Sequence, residues 1–180
     1  MSRHVGAKEV FSVEYELDPA VAQDQRWLYG HMCFWVRGNM VGEYEEIATL
    51  NVALAVLPEL LGNHGKRFDP ILFSAPVEEA FSKIFSPLCI DSGQPDDQVA
   101  RDEELYSRFT AVARGIDIFD NWDAFLIEDQ FTGRFLFRRV NSEVREAKIP
   151  AGEFDRVLAE FLKTLQAETD ARIARRTPER

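Results

Sequence analysis

Residues 27–61, WLYGHMCFWVRGNMVGEYEEIATLNVALAVLPELL, pack more apolar surface into one supersecondary unit than any other stretch of this chain. In residues 27–37, Leu28, Met32, Phe34 and Val36 share one face and Tyr29, Cys33 and Trp35 the other, because successive strand side chains point to opposite sides. Apolar residues on both faces suit a central strand covered on two sides. Gly38-Asn39 is a two-residue hairpin signal, with glycine supplying positive φ, and residues 40–44 are expected to return antiparallel. A helix follows, with Thr49 as N-cap and Gly62 just past its end. Ile47, Leu50, Leu54, Leu57 and Leu61 recur at helical spacing, and Val52, Ala53 and Val56 widen that face. Asn51, Ala55, Pro58 and Glu59 fall in one narrow sector, the expected solvent stripe. Pro58 cannot bond the Leu54 carbonyl, so the helix is expected to bend there, on the side where water reaches that carbonyl.

Working outward, residues 9–17 alternate Phe11, Val13, Tyr15 and Leu17 against Ser12, Glu14 and Glu16, the pattern of a half-buried strand. A polar loop over 18–26 separates it from the central strand. After a turn-rich connection over 63–70, a second helix starts at Ser74 or Ala75. Pro76 stands in its first turn and Glu78 and Glu79 near its positive end. Its stripe is Val77, Phe81, Ile84, Phe85 and Leu88, and Pro87 is expected to stop it. Residues 91–104 carry Asp91, Asp96, Asp97, Asp102, Glu103 and Glu104 against Arg101 alone, a density that predicts a solvated long loop or a frayed helical turn. Residues 105–113 fit helical spacing through Leu105, Phe109 and Val112, but their composition favours a strand. Residues 122–129 and 134–140 read as a hairpin, with an edge piece over 144–149. Pro150 or Gly152 opens a last helix with the stripe Phe154, Val157, Leu158, Phe161, Leu162 and Leu165. Glu168 and Arg172 are spaced to pair beyond it, in a polar end over 168–180.

Hairpins and helices in this order predict a single α+β domain over 1–180, mainly an antiparallel sheet with helices packed on one face. A length of 180 residues is enough to bury roughly 70% of the surface an unfolded chain exposes, and fourteen Phe and three Trp supply the core. The formal charge of −10 argues against nucleic acid and anionic membranes as partners, since both need a basic surface. It permits attraction to a basic protein, although solubility is the plainer reason for an acidic surface. Cys33 and Cys89 show no zinc or redox spacing. The beginning MSRHVGAKEV has no signal-peptide apolar run and no stretch approaches a membrane span, so a cytoplasmic protein is expected.

Candidate sites are few. Asp117, Asp120 and Asp123 supply three carboxylates that a divalent cation would accept, as in a metal-dependent hydrolase. Asp and Asn are also ordinary turn residues before a strand, which these precede. The run Gly62-Asn-His-Gly-Lys-Arg lacks the spacing of a phosphate loop and follows a helix instead of opening one. His4, His31 and His64 stand at no ligand or triad spacing, and His31 reads as a packed structural residue. No catalytic, cofactor or metal site is expected. The acidic run is the surface feature with functional weight, and Asp96, Asp97, Asp102, Glu103 and Glu104 are its candidate contact residues.

Several pieces in order resemble the immunity protein 42 family of bacterial polymorphic-toxin systems. They are Phe11-Ser-Val-Glu-Tyr-Glu-Leu-Asp18, Trp27-Leu-Tyr-Gly30, Phe34-Trp-Val-Arg-Gly38, Val41-Gly-Glu-Tyr44, Thr49-Leu50 and Lys66-Arg-Phe68. Ile118-Phe-Asp-Asn-Trp122, Phe125-Leu-Ile-Glu128, Arg134, Ile149-Pro150 and Phe154-Asp155 continue the pattern. The resemblance implies a small cytoplasmic protein that binds and neutralises a cognate toxin domain, with no catalytic residues to carry over. The acidic run lies outside the matching pieces. A secretion-system chaperone or adaptor is the other binding-protein reading.

Overall fold

The structure, a computed structural model, describes residues 2–18 and 27–174, so most of the loop expected over 18–26 and the last residues of the polar end lie outside it. Strands β1 (Arg3–Ala7), β2 (Phe11–Leu17), β3 (Tyr29–Val36) and β4 (Asn39–Val41) form an antiparallel meander. The short β5 (Ala48–Thr49) pairs with the other end of β3, Tyr29 opposite Thr49. Helices α1 (Leu50–Leu61), α2 (Pro70–Ser74), α3 (Val77–Cys89) and α4 (Asp96–Tyr106) come next. Strands β6 (Trp122–Glu128), β7 (Thr132–Arg139) and β8 (Arg145–Pro150) make a second antiparallel sheet, and α5 (Glu153–Ala174) follows. The α+β class and antiparallel pairing are those the sequence predicts, with the strands divided between two sheets.

The central strand behaves as its alternation requires. Phe11, Val13 and Tyr15 of β2 stand opposite Val36, Phe34 and Met32 of β3, and all six are buried. Phe154, Val157, Leu158, Phe161 and Leu165 of α5 and Leu50, Ala53, Leu57 and Leu60 of α1 belong to the same core. The β6–β7–β8 sheet is covered on both faces, which explains why residues 124–127 are apolar throughout. Ala124, Leu126, Phe135 and Phe137 join the main core, while Phe125, Ile127 and Leu136 pack with Leu72, Phe81, Ile84 and Phe109.

Where expectation and structure differ, tertiary contacts decide. The hairpin turn is Arg37-Gly38, one residue earlier than expected: Val36 pairs Asn39, and Arg37 and Gly38 take φ of 50° and 77°. Two positive φ values are what a type I′ turn needs. Ser12 and Glu14 are both buried, and Ser2, Lys8 and Trp35 close over the Glu14 carboxylate. Ile47 stands outside α1 and is exposed; the inner face of the helix centres on Leu50, Ala53, Leu57 and Leu60. Of the expected wet stripe Ala55, Pro58 and Glu59 are exposed, whereas Asn51 is half-buried and accepts the Leu28 N–H. Gly62 stays right-handed, and the left-handed residue that ends the following turn is Gly65.

Pro87 lies inside α3, which runs two residues further, since a proline removes its own N–H but leaves the next ones free to bond back. Residues 105–113 are not a strand. They finish α4, make a single 3₁₀ turn over Ser107–Phe109 and meet the β6 backbone at an isolated bridge from Thr110 to Phe125, beside which the Ala111 N–H donates to the Ala124 carbonyl. Burial of Phe109 against the far face of the second sheet holds that turn. Glu168 takes its partners from outside its helix: it accepts hydrogen bonds from Arg3 and from the Tyr15 hydroxyl.

Candidate functional site: an acidic ridge and the cleft beside it

The acidic run resolves into a loop and a helix. Asp91 accepts the Gly93 N–H at 2.9 Å, and Pro95 precedes α4, whose first-turn Asp96 and Asp97 suit the positive end of the helix. An Asp97–Arg101 pair at 2.9 Å braces the outer surface, and Asp102 accepts from Gln98 at 2.7 Å and Gln94 at 3.2 Å. No residue of α4 is buried. It lies as a ridge on α3 and the 3₁₀ turn, with Gln98, Asp102 and Tyr106 half-buried beneath it. The structure therefore separates the five candidates. Asp96, Glu103 and Glu104 are exposed and without partners among the described residues, Asp97 is paired with Arg101, and Asp102 is turned to the glutamines.

Beside this ridge α1, α3, α4 and the segment over 107–123 enclose a cleft of about 980 Å³. Val56, Phe85, Leu88, Val99, Trp122 and Val140 contribute apolar walls, and Glu59, Glu103, Asp120 and Asp123 contribute carboxylates. Arg138 and Arg114 also line it. Arg138 bonds Asp123 at 3.0 Å and lies over the rings of Phe85 and Phe81 at 4.3 and 4.7 Å. Arg114 donates to the Leu88 carbonyl and to the Cys89 sulfur. Burial pushes the Cys89 thiol up, with Arg114 opposing it. Of the three carboxylates considered for a cation, Asp117 and Asp120 are exposed and Asp123 is held by Arg138. Among the described residues no three His, Cys, Asp or Glu side chains are grouped to hold a metal ion.

The remaining buried charge is structural and was not read from the sequence. Arg67, fully enclosed, bonds Asp155 at 2.8 and 3.0 Å, the Leu60 carbonyl at 2.6 Å and Glu128 at 3.5 Å. Glu128 in turn accepts the Gly152 N–H, and exposed His64 bonds Asp155 at 2.9 Å. One guanidinium thus ties the end of α1, the end of β6 and the start of α5. Arg134 does the same for α2, donating to the carbonyls of Leu72, Phe73 and Ala75 and pairing with Glu146. His31 is a packed residue, its Nδ1 within 2.9 Å of the Tyr44 carbonyl. Burial, with Glu14 nearby, pushes the Cys33 thiol up to about 12. Among the described residues the buried polar and charged side chains are Ser12, Glu14, Arg67, Glu128, Arg134 and Asp155. Every one lies in a piece of sequence that carries the family resemblance, and α4 contributes none.

This two-sheet fold is shared with a solved structure: the crystal structure of CdiI from Burkholderia dolosa AUO158 superimposes with a TM-score of 0.71 at 17% identity, over 90% of this chain and 99% of that one. The family model for immunity protein 42 matches residues 1–164, and the chain belongs to that family. Its function is that of an immunity protein, which neutralises a cognate toxin through protein–protein contact. No curated protein matches the sequence. No described helix is long and apolar enough to cross a membrane.

Proposed function

We propose that this immunity protein acts in the cytoplasm of the producing cell, without catalysis, by engaging a basic surface of its toxin through the α4 ridge. The observation that carries this reading is the set of outward carboxylates on α4: Asp96, Glu103 and Glu104 have no partner among the described residues, on a chain of net charge −10. Exposed charge of one sign raises the rate of encounter with an oppositely charged partner, and salt weakens that advantage. Asp97 and Asp102 contribute less, because each is already engaged.

The test begins with co-expression beside the C-terminal domain encoded immediately upstream. Cells should survive with the wild-type protein, and continued toxicity would defeat the immunity reading for that toxin. Asp96→Lys with Glu104→Lys should lower the association rate at least about tenfold at low salt and flatten its salt dependence. An unchanged association rate would remove α4 from the contact.

A further inference from the structure

The cleft next to α4 combines two properties that suit one kind of occupant. Its walls are apolar through Val56, Phe85 and Val140, while exposed Glu59, Glu103 and Asp120 lack any partner among the described residues. The cations lining it are already engaged, Arg138 by Asp123 and two phenyl rings, Arg114 by a carbonyl and a sulfur. Unpaired carboxylates beside an apolar trough match a lysine or arginine side chain, whose stem lies on hydrocarbon while its head pairs. A volume of about 980 Å³ is at the upper end of the roughly 300–1,000 Å³ typical of binding pockets, room for several side chains of a protruding segment.

We propose that this cleft receives a projecting segment of the cognate toxin that carries a lysine or arginine between apolar residues, an inference that rests on the immunity reading above. The ridge then governs encounter and the cleft governs residence, because desolvated charge pairs act on dissociation while rim charges act on association.

Cys89 supplies a built-in reporter. It lines the cleft half-buried, whereas Cys33, the other cysteine, is fully buried. Maleimide labelling of Cys89 in the free protein and in complex with the purified, catalytically inactivated C-terminal domain encoded upstream reads occupancy directly. Labelling should slow at least about tenfold in the complex. Glu59→Lys with Asp120→Lys should raise the dissociation rate at least about tenfold and leave the fold intact by circular dichroism. A complex that forms normally with Cys89 equally reactive, or with dissociation unchanged in the double variant, overturns the cleft and leaves the immunity reading standing. Absence of any complex with the wild-type protein defeats both. Protection of Cys89 that grows with the concentration of this protein alone would assign the cleft to a second copy and overturn the toxin segment as its occupant.

Discussion

Arg67→Met should be among the most damaging single substitutions in this protein. The arginine has no solvent exposure, and its guanidinium faces Asp155 and Glu128, themselves only 6% and 8% exposed. Methionine fills comparable space but leaves both carboxylates without their cation and the Leu60 carbonyl without its 2.6 Å donor. Breaking a buried pair from one side costs about 3–5 kcal/mol, more than the pair itself is worth. The Gly152 N–H still supports Glu128 and His64 still supports Asp155, which holds the cost towards the lower end. At an unfolding entropy of about 2.1 cal/mol/K per residue, a chain of this length should lose about 8–13 °C in Tm. Thermal and urea unfolding followed by circular dichroism measure this. Adding Asp155→Leu should cost less than the two single effects together, with coupling above about 1 kcal/mol. A loss under about 1 kcal/mol in Arg67→Met, or strict additivity in the double variant, would refute the claim that this network holds the fold.

Two further predictions concern the first sheet. Burial alone would push the Glu14 carboxyl up, but hydrogen bonds from Ser2, Lys8 and Trp35 outweigh it and hold the group below the usual carboxylate range. A depressed carboxyl stabilises the fold above its unfolded value of about 4.3 and loses that contribution as pH falls through the folded value. Urea midpoints measured between pH 3 and 7 should therefore fall less steeply at the acid end in Glu14→Gln, which should itself be less stable at neutral pH; parallel profiles would contradict this. Gly38→Ala should cost about 1 kcal/mol in urea unfolding, because φ is +77° there while a Cβ would meet nothing within 4 Å. An unchanged midpoint would mean that the turn relaxes without cost.

Much of the fold was legible because periodicity survives any tertiary arrangement. The α5 stripe from Phe154 to Leu165, the two-faced strands around Phe34 and Leu126 and the β6–β7 hairpin were all readable from spacing. The turn was misplaced by one residue because Gly38 marks a positive φ without saying whether its neighbour before or after shares it; Arg37 does. Residues 105–113 misled because Phe109 is buried by a long-range contact with the second sheet, which local composition cannot report. The five candidate acids were visible as a run, yet only the structure turns Asp102 to Gln94 and Gln98 and pairs outward Asp97 with Arg101, leaving Asp96, Glu103 and Glu104 without a partner among the described residues. The cleft was invisible, since its walls come from segments as distant as Val56 and Val140.

By itself, the sequence determined the class of the domain, its principal core stripes, its acidic character and, through pieces spread along the chain, its family. These are properties of short-range pattern and composition. Tertiary structure alone decided the partners of its buried charges. Arg67, Glu128 and Asp155 are far apart in the chain and meet only because three elements converge, and burial then makes their pairing necessary. The packing of α1, α3, α4 and the segment over 107–123 likewise leaves Glu59, Glu103 and Asp120 without a partner among the described residues around one opening, where only the folded chain brings them to a common cleft.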